Sequence, residues 1–477
     1  MSNRMLWANL LNDDRRNKKE KKTDHRNEFE KDYDRIVASS SLRRLQDKAQ
    51  VYPLQDNDFI RTRLTHSMEV SAIARSFGTW LEQWLINDKK ELTTDDYRKI
   101  PNILAVAGLV HDIGNPPFGH YGEDVIKCWF AKWFSNKAEM KKVEEHPNYK
   151  IGITQEEIND FLHFDGNAQG IRILTSLQFL NNQYGINFTY ATLSILMKYP
   201  WDSSHEVAVE KKKFGYFQKD KNIAEDIIKK TVGEEFMGKR NPLTYFLEAS
   251  DDIAYLGADV EDSVKKGVIP WEKEFPNIIE SLSPYYEESM KKLEKKYADA
   301  QELKFPDYCF TSAQNFKVWA QGQMIKECID VFRDNYDDIM TGNFTGDLLN
   351  KTEKAKEIKK ILKRLVSGYC YPNKEVLSLE LVGDSVINDL LNTFVNAIIF
   401  TDIILEEDHK PREGKLFRMI SDNFRFVYSL DEEGKSKKTM QSLSLYDKLL
   451  LITDFVSGMT DSYALDLHQK LKGVKMP

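Results

Sequence analysis

The sequence predicts an all-α protein. Apolar residues recur at helical spacing along most of the chain, strand-like alternation is nowhere sustained, and Pro, Gly or Asn punctuates the ends of the periodic segments. At 477 residues the chain is long enough to bury a large core. The expected division is an N-terminal region with a helical core over 1–270 and a further helical region over 271–477, because Gly, Pro and charges cluster in "KKGVIPWEKEFP".

Taken in order, the first informative segment is "RTRLTHSMEVS", beginning at Arg61. Val70, Ile73, Ala74, Phe77, Leu81 and Trp84 follow at helical spacing, so His66 heads a helix and Arg63 lies one turn before it on the same side. The second, very apolar helix lies in "PNILAVAGLVHDIGNPPFG". Its C-terminal end carries His111 and Asp112 before Gly114 and Pro116 stop it. A carboxylate at the end of so apolar a helix needs a partner, and a cation or a hydrogen-bond network would serve equally.

In "GNPPFGHYGE", a helix beginning near Gly119 directs His120 and Glu123, three apart, toward one spot. "HFDGNAQGIRIL" reads as a polar turn before a helix. "EASDDIAYLGADVEDS" is a third helix with acids at its start, and Asp251, Tyr255 and Asp259, four apart, share one face. An Asp-Asp pair at a helix start also suits capping. "SPYYEESMKKLEKKYADAQ", "KVWAQGQMIKECIDVFRDNY", "EKAKEIKKILKRLVSGY" and "DSVINDLLNTFVNAIIFTDIIL" continue the helical pattern.

A net charge of −7, with 30% charged and 41% hydrophobic residues, describes a folded, soluble protein. The runs "DDRRNKKEKK" and "NKTEKAKEIKKILKRL" carry acids among their lysines and read as solvated helix faces, leaving single-stranded nucleic acid only as a minor partner class. Cys128, Cys309, Cys328 and Cys370 are far apart and form no CxxC, which suits a reduced, cytoplasmic compartment. The N-terminus lacks a signal peptide's apolar core, and no apolar run approaches the roughly 18 residues that span a bilayer, so no membrane association is expected.

The arrangement H…HD…D resembles the HD-domain phosphohydrolases. Six strings in family order, "SSSLRRLQDKAQVYP", "RTRLTHS", "HDIGNPPFGHYGE", "HFDGNAQGIRIL", "EASDDIAYLGADVEDS" and "DFVSGMTDSYALDL", look like the deoxyguanosinetriphosphate triphosphohydrolases. The resemblance implies an all-α HD fold, with the catalytic core in 1–270 and with 271–477 contributing to the substrate pocket and to oligomer contacts. The implied reaction converts a deoxynucleoside triphosphate, dGTP above all, to deoxynucleoside and inorganic triphosphate.

The resemblance makes His66, His111, Asp112 and Asp251 the metal ligands, with Asp251 preferred to Asp252 because Tyr255 and Asp259 then fall against the sugar. A mixed nitrogen and oxygen set suits Mn²⁺ or Mg²⁺, with Fe²⁺ and Ni²⁺ as further options. His120 is the expected acid for the leaving 5′ oxygen. Glu123 would orient that imidazole or hold its protonated state. Arg63 and one of Lys212 and Lys213, in "KKKFGYF", would meet phosphate, and Asn167, in "HFDGNAQGIRIL", is a further substrate-binding residue that the resemblance implies. Gln50 and Val51 sit where the family closes over the deoxyribose. Asp165 stands where the family's pattern leads one to expect Glu.

Two other functions compete: a nucleic-acid-binding or nucleotide-sensing HD protein, and an HD phosphodiesterase or nucleotidase acting on monophosphates. The latter has no use for cations spread along a triphosphate. A homo-oligomer, tetramer or hexamer, is the expected assembly.

Overall fold

The structure is a computed structural model and describes residues 4–17, 24–52, 60–149, 152–178, 183–401, 405–431, 434–436 and 438–475. Among the described residues the regular structure is helical, and extended pairing is confined to isolated bridges such as Arg15 with Thr189. The fold class is all-α. None of the helices among these residues is long and apolar enough to cross a membrane.

The chain forms two compact units, each assembled from separated stretches. One comprises Met1–Trp7, Gln50–Leu109 and Asn241–Leu379; the other comprises Ala8–Ala49, Val110–Arg240 and Glu380–Pro477.

The first unit is built on the helix Thr244–Lys265, which packs against Arg63–Trp84, Tyr308–Asp334 and Glu353–Leu365. It is buried nearly all round, from Phe246 through Ile253 and Leu256 to Val260. Such a helix lies in a core rather than over one. Phe246 contacts Phe77 with ring centroids 4.8 Å apart and Phe332 at 4.4 Å. Pairs of this kind add about 0.5–1.5 kcal/mol beyond area burial.

Thr62 caps the Arg63–Trp84 helix, its hydroxyl accepting from Thr65 N. Of the predicted stripe, Val70, Ala74, Phe77 and Leu81 are fully buried, whereas Ile73 and Trp84 are half-buried. This helix meets Lys99–Val110 backbone to backbone. A Cβ on Gly108 would stand 2.6 Å from Ser71 Cα, and one on Gly78 would stand 2.7 Å from Pro101 Cα. Only glycine allows that approach.

One expectation changes here. The third helix begins at Thr244, so Asp251 and Asp252 lie two turns inside it and not at its start. Capping is no explanation for acids that deep, because the orphan N–H groups belong to the first turn.

In the second unit, Phe130 and Phe161 pack at 4.5 Å and Phe161 meets Tyr446 at 5.7 Å. The buried charge of Arg172 is paired. Arg172 donates from Nε to Asp454 at 3.0 Å, from Nη1 to Asp220 at 3.1 Å and from Nη2 to Tyr428 Oη at 2.7 Å. Removing one member would strand another in a medium that solvates charge poorly.

The run "DDRRNKKEKK" departs from its reading as a helix face. Asp13–Asn17 are not helical, and Arg15 is drawn inward by Glu28 and by the fully buried Asp32, whose carboxylate also takes Thr189 and Thr192 hydroxyls. Residues 18–22 of that run lie outside the described residues, as do 402–404 of "DSVINDLLNTFVNAIIFTDIIL", whose helix ends at Ile399. The other basic run is largely the expected helix face, with Ile358, Ile361 and Leu362 buried and Lys356, Lys360 and Lys363 exposed, but its Lys359 is buried.

Candidate active site

In the first unit, His66 is fully buried and Arg63, one turn before it, is 2% exposed. His66 Nε2 lies 3.1 Å from Asp251 Oδ1. Asp252 takes a different partner, accepting from Lys359 Nζ at 2.6 Å. The two adjacent acids therefore have separate uses, and Asp251 is the one beside the imidazole. Two ligand atoms at right angles, each about 2.1 Å from a common ion, stand about 3 Å apart, so this nitrogen–oxygen pair fits one edge of a coordination shell.

Tyr255 and Asp259 follow Asp251 along the helix, Tyr255 half-buried and Asp259 buried. Burial pushes the Asp259 carboxyl well above the usual carboxylate range, and repulsion from Asp262 adds to it. Burial likewise pushes the Tyr255 phenol up. Gln50 and Val51 are half-buried, and Gln50 Oε1 is buried without a hydrogen-bond partner among the described residues. The next residue, Tyr52, ties this stretch to the Thr244–Lys265 helix through a 3.0 Å hydrogen bond between its hydroxyl and Ser263 Oγ.

In the second unit, His111 and Asp112 come one residue later than the sequence suggests. The helix Lys99–Val110 has already ended, and the pair opens the turn that follows. His111 Nε2 is 3.5 Å from Asp112 Oδ1, and Asn115 Nδ2 donates to the same oxygen at 2.7 Å. Lys48 Nζ donates to the Asn115 carbonyl. A Cβ on Gly114 would stand 2.1 Å from both Gly166 O and Gly170 N, so this turn is pressed onto the helix Gly166–Arg172. Phe118 then takes a left-handed conformation, φ 62°, unusual for a bulky residue. Asp461 holds it there by accepting from Phe118 N and from Ala49 N, each at 2.9 Å.

The helix Gly119–Ser135 starts where expected and brings His120 Nδ1 to 3.7 Å from Glu123 Oε2. His120 presents 78% of its side chain to solvent, whereas Glu123 presents 4%. Glu123 Oε1 accepts from Gly166 N at 2.9 Å, and Lys213 Nζ donates to Oε2 at 3.4 Å. Burial opposes ionisation of Glu123, but His120 and Lys213 outweigh it and hold the carboxyl below its ordinary range.

Lys213 Nζ also stands 3.1 Å from Asp165 Oδ2. Lys212 is exposed and ends the Glu206–Lys211 helix in a left-handed conformation, so the two lysines are physically distinct. Burial pushes Asp165 up, with Glu123 adding to it. Its shorter side chain has a local use: it caps the Gly166–Arg172 helix, accepting from Asn167 N and Asn167 Nδ2, both at 2.8 Å. Gln169 turns to Asp454.

Sequence reasoning passed over Asn115, Lys48 and Asp461, which set the shape of the turn. The Asn in "HDIGNPP" was the available signal, a short amide three residues after a candidate ligand. Lys48 and Asp461 act across 67 and 343 residues of sequence, and no local pattern marks them.

Comparison with known proteins bears on the same residues. Residues 63–157, which contain His66, His111, Asp112, His120 and Glu123, match the HD domain family. A Listeria innocua protein named deoxyguanosinetriphosphate triphosphohydrolase-like is 40% identical, the alignment covering 98% of this chain and 100% of the relative. A Synechocystis relative of the same name is 32% identical over 99% and 100% of the two chains. The deoxyguanosinetriphosphate triphosphohydrolase of Yersinia pseudotuberculosis is 31% identical over 93% of each. With similarity of this extent on either side of the HD match, the chain belongs to the deoxyguanosinetriphosphate triphosphohydrolase family of HD-domain hydrolases.

Proposed function

We propose that the protein hydrolyses dGTP, and other deoxynucleoside triphosphates less well, to the deoxynucleoside and inorganic triphosphate, with a divalent metal. The observation that carries this reading is the His66–Asp251 pair at 3.1 Å, in a chain whose full-length relatives bear the name of that activity. His66, His111 and Asp112 each offer one ligand atom, and Asp251, beside His66, is the fourth proposed ligand. Neutral imidazoles with carboxylates suit Mn²⁺ or Mg²⁺, with Fe²⁺ and Ni²⁺ also compatible. When bound, the ion supplies charge stabilisation at the α-phosphate and makes water more acidic.

The side chains supply the rest. Asn115 fixes the orientation of Asp112 through its amide. His120 protonates the departing 5′ oxygen, which as a free alkoxide would be a poor leaving group, and the ionised Glu123 keeps that imidazole charged. Arg63 and Lys213 balance phosphate charge, with Lys212 at the solvent edge and Asn167 beside Asp165. Gln50, Val51, Tyr255 and Asp259 surround the deoxyribose. The Gln50 oxygen, without a hydrogen-bond partner among the described residues, offers an acceptor, and the buried Asp259 carboxyl, whose proton burial favours, a second polar contact, so that close packing there would exclude a 2′-hydroxyl. The enzyme works in the cytoplasm, in keeping with four free thiols, and as a homo-oligomer, tetramer or hexamer.

The direct test is product identity. Incubation of the purified protein with dGTP and Mn²⁺ should yield deoxyguanosine and triphosphate by chromatography, and chelator should abolish both. Pyrophosphate or orthophosphate as the primary product would move the protein among the phosphodiesterases or nucleotidases.

A further inference from the structure

Lys213, the buried-side lysine proposed to meet phosphate, sits on backbone that no helix fixes. The helix Glu206–Lys211 has stopped, Lys212 is left-handed at φ 52°, and Lys213, Phe214 and Gly215 are irregular. What holds this stretch is a second one, Tyr199–Asp202, laid alongside it. Trp201 Nε1 donates to the Lys213 carbonyl at 3.0 Å, Gly215 N donates to the Trp201 carbonyl at 3.0 Å, and Asp202 and Tyr216 form an isolated bridge. A Cβ on Gly215 would collide with the Tyr199 carbonyl oxygen, so the two backbones touch.

The stretch that carries Trp201 is itself anchored from behind. Asp202 accepts from Lys221 Nζ at 2.8 Å, and the Ser203 hydroxyl donates to the buried Asp160 at 2.6 Å. The half-buried indole stacks on His205 with ring centroids 5.7 Å apart. The indole N–H is therefore a fixed donor, and it holds a carbonyl that lies outside any helical ladder.

The side chain of Lys213 is directed from elsewhere. Its Nζ stands 3.1 Å from Asp165 Oδ2 and 3.4 Å from Glu123 Oε2, and 30% of the side chain faces solvent. The two carboxylates direct the ammonium, while the backbone bond sets where its flexible four-carbon stem begins. Moving that origin costs either a carboxylate contact or reach toward a ligand. We infer that Trp201 is a positioning residue for phosphate recognition: its indole N–H fixes Lys213 so that the ammonium, directed by Glu123 and Asp165, meets the triphosphate. Trp201 touches neither phosphate nor metal in this role. The inference rests on the proposed reading that Lys213 meets phosphate, and the experiment separates the two.

Trp201→Phe removes the N–H and keeps a ring. Calorimetry with inorganic triphosphate and Mn²⁺ should show its Kd raised about 3–10-fold, the scale of one lost hydrogen bond, while the Kd of deoxyguanosine, which carries no phosphate, stays as in wild type. KM for dGTP should rise in step with little change in kcat, because the contact serves ground and transition states alike. β-(3-Benzothienyl)alanine introduced at position 201 replaces the N–H by sulfur at nearly constant ring size. It should give the same pattern, which a role in packing alone would not. In a Lys213→Gln background neither change should weaken triphosphate binding further.

A raised triphosphate Kd in Lys213→Gln beside a wild-type value in the benzothienyl protein would overturn the positioning role and leave the phosphate reading standing. A wild-type value in Lys213→Gln would overturn that reading and the inference with it. Equal losses for triphosphate and deoxyguanosine, or additive losses in the double variant, would show that Trp201 serves only the fold.

Discussion

Asp251 and Asp252 are chain neighbours with opposite uses, one 3.1 Å from His66 and the other bonded to Lys359. A helix turns 100° between adjacent residues, so only one of the two can face a given partner. The choice between them was readable from Tyr255 and Asp259 four and eight residues on. The physical reason for it, an ammonium 107 residues away, was not. Lys212 and Lys213 repeat the lesson, since their separation depends on the burial of Asp165 and Glu123 and on where a six-residue helix stops. Val51 and Gln50, proposed to face the sugar, make a testable gate. Val51→Gly, which opens space in the proposed floor, should raise GTP turnover relative to dGTP. Steady-state rates on the two nucleotides check this, and unchanged discrimination would transfer the gate to Tyr255.

At the scale of elements, the 3.6-residue period made the helices legible, because a buried face must repeat at that spacing wherever the helix packs. The N-terminal basic run was misread because its controlling contact is the buried Asp32, invisible to local pattern. Packing also sets a pH response. Asp160, on the helix Gln155–Leu162, is buried and accepts from Ser203 Oγ at 2.6 Å, Tyr446 Oη at 2.6 Å and Gln218 N at 2.8 Å, yet burial pushes its carboxyl up to about 7. A carboxyl raised in the folded state binds its proton more tightly there than in the unfolded chain. The stability it contributes is complete below its ordinary value of 3.8 and is lost as pH rises through about 7. Asp160→Asn keeps an oxygen for Gln218 and Tyr446 and an amide facing Ser203. The variant should therefore lose this part of the fall in Tm between about pH 4 and 7, as measured by calorimetry across that range.

For the whole molecule, net charge and cysteine usage bounded the partners, and six ordered strings spread along most of the chain pointed to the family before any contact was known. What they left out is support: the lysine behind Asn115, the aspartate under Phe118 and the glycine that lets the turn carrying His111 and Asp112 lie on its neighbour. Assembly belongs to this scale as well. Light scattering at micromolar concentration should return a tetramer or hexamer, and an active monomer would contradict that expectation. The central claim is a division of labour between metal ligands and a separate acid. It is tested most directly by measuring metal content and dGTP turnover on the same samples of Asp251→Ala and His120→Ala. Asp251→Ala should lose both metal and activity. His120→Ala should keep its metal and bind dGTP while kcat falls by about 10²–10⁴-fold. Near-full turnover in His120→Ala, or loss of its metal, would contradict the account.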